Sequence, residues 1–171
     1  MIRAIAAALA AGALLASCGG GAALPEAAPC PTPFATATPG TLRLALTQYY
    51  HVISTGAAEL ETSLAGFRAR YPDGKFYRSE SFRPAFVEYA GSANCELDTM
   101  AAATPPDDAD ENTTSFESEL EGILTNYRTQ LDRGLAAIRQ RNTSDYRDFN
   151  RNIDTVAQQL RDLVDSRVAR R

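Results

Sequence analysis

The stretch "TSDYRDFNRNIDTVAQQLRDLVDSRVA", residues 143–169, decides the fold. Tyr146, Phe149, Ile153, Val156, Leu160, Leu163 and Arg167 recur in it at spacings of three and four, the period of one face of an α-helix. Arginine, aspartate, asparagine and glutamine fill most of the intervening positions. A helix with so narrow an apolar stripe must bury it against other helices. The chain upstream supplies three partners.

Working back, "NTS" at Asn142–Ser144 offers side-chain oxygens that can cap the last helix. Before it, Phe116, Leu120, Ile123, Tyr127, Leu131, Gly134 and Ile138 form another stripe, with Thr114 and Glu117 spaced as a capping box. The acidic run "TPPDDADENTT", residues 104–114, separates this helix from a preceding one carrying Phe82, Phe86, Tyr89, Ala93, Leu97 and Met100. Pro84 is tolerated in the first turn of that helix. Upstream of "YPDGK" at residues 71–75, Leu46, Tyr49, Ile53, Gly56, Leu60, Leu64, Phe67 and Tyr71 complete the set. No stretch alternates strongly enough to predict a strand. The expected fold is all-α, an up-down-up-down four-helix bundle over residues 41–171, with helices at about 41–70, 81–103, 114–141 and 144–169.

Residues 19–40, "GGGAALPEAAPCPTPFATATPG", contain no such period. Their prolines remove backbone donors and fix φ, so residues 18–40 are expected to be a disordered tether. Ahead of the tether stand Met1-Ile2-Arg3 and an uninterrupted run of alanine, leucine, isoleucine and glycine from Ala4 to Ala16. That run is shorter than the roughly 20 residues of a membrane span and fits a secretory signal peptide, residues 1–17.

Leu15-Ala16-Ser17-Cys18 resembles the lipobox of bacterial lipoproteins. The resemblance covers only the start of the chain. It implies cleavage before Cys18, which then becomes the first residue of the mature chain and carries fatty acyl chains such as palmitate. It also implies a domain held on the extracytoplasmic side of the cell membrane or outer membrane. Gly19 stands where many inner-membrane lipoproteins carry aspartate, which by the same resemblance favours the outer membrane or outer cell surface. An anchor at Cys18 would give the bundle a near pole and a far pole.

With Cys18 assigned to lipid, Cys30 and Cys95 remain and are expected to pair in an oxidising compartment. The 171 residues carry 17 basic and 21 acidic side chains, a net charge of −4, which argues against nucleic-acid binding. Lys75 is the sole lysine, a bias read as genomic base composition.

Catalytic and cofactor chemistry finds little to build on. The single histidine, His51, lacks the Glu-x-x-His spacing of di-iron bundles, and the stripes contain no carboxylate. No metal, cofactor or enzymatic activity is expected. Charge and aromatic residues nevertheless divide between the ends. Phe76, Tyr77, Arg78, Arg147 and Arg151 are placed at the far pole as a candidate surface for an anionic envelope polymer or a protein partner. The reading is a non-enzymatic binding or scaffolding module at the cell envelope. The alternative is a small-molecule or metal-binding sensor or carrier that uses a pocket between helices.

Overall fold

The computed structural model describes residues 24–27, 30, 40–72 and 80–168. Its elements are β1 (Leu42–Arg43), α1 (Leu46–Arg70), α2 (Phe82–Ala102), β2 (Ala103–Thr104), α3 (Glu111–Gln140) and α4 (Thr143–Val168). Among the described residues the protein is all-α but for two short strands, and the four helices pack as a bundle around one core.

All the stripe residues of α4 from Tyr146 to Leu163 are buried. Arg167 closes the stripe only half-buried. Glycines at two stripe positions set how closely helices approach. A Cβ on Gly134 would stand 2.7 Å from Phe86 Cζ and 2.9 Å from Phe149 Cδ2, so α3 seats two rings directly on its backbone. A Cβ on Gly56 would stand 2.7 Å from Met100 Cγ, which locks α1 to α2 in the same way.

The end of α1 and the starts of α2 and α4 meet in an aromatic cluster. Phe86 stands at its centre, with ring centroids 5.4 Å from Phe67, 5.7 Å from Tyr89, 5.9 Å from Tyr146 and 5.3 Å from Phe149. A smaller cluster of Tyr49, Tyr50 and Phe116 occupies the other end. Beside the larger cluster, Arg68 reaches from α1 to the Asp154 carboxylate and the Asn150 carbonyl of α4. Glu61 and Arg161 join the same two helices at 3.1 Å.

Three sequence expectations need correction. First, residues 41–45 do not begin α1: Leu42–Arg43 pairs in parallel with Ala103–Thr104. Gly40 N donates to the Ala101 carbonyl at 3.0 Å and Leu44 N to that of Thr104 at 3.0 Å, so the chain entering α1 is clipped to the end of α2. Second, α3 starts at Glu111, and its cap is Asp110 and not Thr114. The Asp110 carboxylate accepts from Thr113 N at 2.8 Å and from Thr113 Oγ1 at 2.6 Å, and the same hydroxyl lies 3.2 Å from the Tyr50 hydroxyl. Asp110→Ala is expected to cost about 1–2 kcal/mol, whereas Thr114→Ala stays within about 0.5 kcal/mol; urea unfolding of both variants checks the contrast.

Third, the described tether residues do not stand apart from the bundle. Leu24 packs against the core, and Ala27 sits so close to α2 that a Cβ on Gly91 would lie 2.8 Å from its own. The sulfurs of Cys30 and Cys95 are at disulfide distance, 1.97 Å, with Cα atoms 5.5 Å apart. This segment therefore follows α2 from Gly91 to Cys95, and Gly40 rejoins it at Ala101. At the start of α4, Asn142 caps as its position suggested, its side-chain oxygen accepting from Ser144 N at 3.0 Å and Asp145 N at 3.3 Å.

Candidate functional site

The strand clip also builds a cleft. Gly40, Ala101, Ala103 and Thr104 form one side of a cavity of about 420 Å³, closed across from them by Glu117, Leu120, Glu121, Leu124, Thr125 and Arg128 of α3, with Tyr49 and Met100 at its base. The volume falls in the range of small-molecule sites, roughly 300–1,000 Å³. It exists because glycine and alanines stand where larger residues would fill the gap between α2 and α3.

Tyr49 backs the cleft. The residue is wholly buried, and its hydroxyl has no hydrogen-bond partner. An unpaired buried hydroxyl costs about 1–3 kcal/mol. Burial, then the nearby Glu117 carboxylate and then Tyr50, hold its ionisation well above the usual tyrosine range, so it remains a neutral O–H that can donate and accept. Around it, Arg128 is held by Asp98 at 2.6 Å. Glu117 and Glu121 have no ion-pair partner among the described residues. The cleft thus combines small apolar lining residues with an acidic rim, and the Tyr49 hydroxyl is sealed behind its wall.

A second set of buried hydroxyls lies deeper. Tyr89 and Tyr127 interact across the core without hydrogen-bond geometry, and burial raises the ionisation of both above the usual range. Tyr146 is pushed up to about 12, chiefly by burial. These groups hold no cavity of comparable size and belong to the packing.

Of the residues singled out in the sequence, Cys18, Phe76, Tyr77 and Arg78 lie outside the described residues. Arg147 and Arg151 fall on one exposed face of α4, and Arg151 is paired with Asp148 of its own helix. His51 is exposed. Among the described residues no group of three potential ligands could hold a metal ion, and no helix is long and apolar enough to cross a membrane. Tyr49 and Met100 were visible in the sequence only as core positions, and Glu117 only as a cap. No protein-family model, curated protein or solved structure matches the chain.

Proposed function

We propose that the chain is a lipid-anchored, extracytoplasmic, non-enzymatic domain that captures a small molecule between its helices at the bacterial cell envelope. The cleft between the strand clip and α3 carries this reading, because its volume of about 420 Å³ and its mix of small apolar and charged lining residues are those of a small-molecule site. The far-pole surface is the weaker candidate, since the Arg151 charge is already met by Asp148. The helices are proposed to run up-down-up-down. Glu61 with Arg161 and Arg68 with Asp154 support this, the residue numbers rising on α1 as they fall on α4.

Two experiments test the reading. Metabolic labelling with an alkyne fatty acid is expected to mark the wild-type chain and not Cys18→Ala; label retained on the variant would remove the anchor. For the cleft, Met100 is one of only two methionines, the other being Met1, so ¹³C-methyl-methionine NMR reports on its base. A panel of small aromatic fragments, cationic, neutral and anionic, is expected to contain at least one that moves the Met100 signal.

A further inference from the structure

Resting on the lipid anchor of that reading, we infer that the end of the bundle carrying Arg70, Arg139 and Arg147 docks on an anionic bilayer surface. The helices bring these residues to one end. The rings of Tyr71, Phe82 and Tyr146 pack edge to face at 5.2 and 5.6 Å, so α1 ends where α2 and α4 begin. There too α3 hands over to α4, between Gln140 and Thr143. Arg70, Arg139, Arg141 and Arg147 are exposed at this end against Glu80 and Asp145, while Arg151 and Asp148 offset each other. Arg70, Arg139 and Arg147 have no ion-pair partner among the described residues. At the opposite end, Asp108, Glu111, Glu117 and Glu119 outnumber Arg167. The described residues therefore form a charge dipole along the bundle axis.

The form of the basic end points to a surface. Its three unpaired arginines stand on three helices and line none of the larger cavities among the described residues, so they make no socket for a single anion. Charges spread in this way gain most from a plane of many anions, felt within a screening length of about 8 Å. Anionic headgroups are such a plane, and the anchor keeps them close. The bundle is free to turn toward them, because the tether residues meet α2 at neither of its ends. Ala27 lies on Gly91, nine residues and about 14 Å from the start of α2 at the basic end. Charge then selects the orientation, attracting the basic end and repelling the acidic one.

The test places the chain, as processed and lipidated by its host, on phosphatidylcholine nanodiscs with or without phosphatidylglycerol, doped with a gadolinium-chelating lipid. Methyl NMR follows Ile138, in the last turn of α3 at the basic end, and Met100, in the last turn of α2 at the acidic end. With phosphatidylglycerol present, gadolinium is expected to relax Ile138 severalfold more strongly than Met100. On phosphatidylcholine alone the two should differ little. In about 1 M salt, where the screening length falls to about 3 Å, the contrast should fade. Arg70→Gln/Arg139→Gln/Arg147→Gln is expected to abolish it while the Met100 signal keeps its position, since all three side chains are exposed and the fold does not depend on them.

The outcomes separate the two claims. If the chain stays on no disc, the anchor fails and the docking with it. If it rides the discs but phosphatidylglycerol makes no difference, or the triple variant keeps the contrast, the docking falls and the anchor stands. Binding of an anionic glycan polymer by the wild type and not by the triple variant, with no response to lipid charge, would overturn the docking and give the basic end to a polymer.

Discussion

Phe86→Ala is expected to remove about 3–5 kcal/mol of folding stability. The residue is fully buried and joins α2 to α1 through Phe67 and to α4 through Tyr146 and Phe149. Truncation leaves a cavity that its neighbours are poorly placed to fill, because the ring tip rests on the backbone at Gly134. The same geometry predicts a change of sign. In the wild-type chain, Gly134→Ala places a methyl group against two rings, and the strain outweighs the roughly 1 kcal/mol of helix propensity that alanine brings. With Phe86 truncated, one of the two rings is gone and Phe149, still 2.9 Å from the new methyl, has space to shift into, so Gly134→Ala should restore part of the loss. Urea unfolding of the two single variants and the double variant measures the coupling, and additive effects would show that the contact at Gly134 is not what makes the site costly.

The second large effect belongs to Cys30 and Cys95. A bond between them closes a loop spanning 65 residues, and the loss of chain entropy in the unfolded state is worth about 4 kcal/mol. The paired variant Cys30→Ser/Cys95→Ala is therefore expected to unfold at a markedly lower urea concentration than the oxidised wild type. In reductant the wild type should fall close to the variant. A wild type indifferent to reductant would mean that the thiols are unpaired in the isolated protein.

The order and type of the four helices were legible because each carries an apolar stripe many turns long. Gly56 and Gly134 stood in those stripes simply as stripe positions, and the close helix contacts they permit emerge only from the packing. The strand clip was not legible: Leu42–Arg43 and Ala103–Thr104 offer two residues each, too few for a period of two to register. The start of α3 was misplaced because several acidic and hydroxyl residues between Asp107 and Thr114 can each cap a helix. The choice of Asp110 depends on Thr113 being buried against Tyr50, a contact 63 residues away. The cleft was hidden for a different reason. It is made by missing side-chain volume at Gly40, Ala101 and Ala103, whereas stripe patterns record only volume that is present.

The docking of Ala27 on Gly91 sets a reach. Leu24, which already packs against the core three residues before Ala27, is six residues beyond Cys18, and an extended chain of that length covers about 20 Å; α3, with 30 residues, is about 45 Å long. A lipid on Cys18 would thus hold the bundle on a leash shorter than half its longest helix, fastened just ahead of the contact with Gly91 in the middle of α2. Both ends of the bundle would then have similar access to the bilayer, and neither would project far from it. A molecule captured in the cleft would have to be met at the membrane surface, within one bundle length of the lipid.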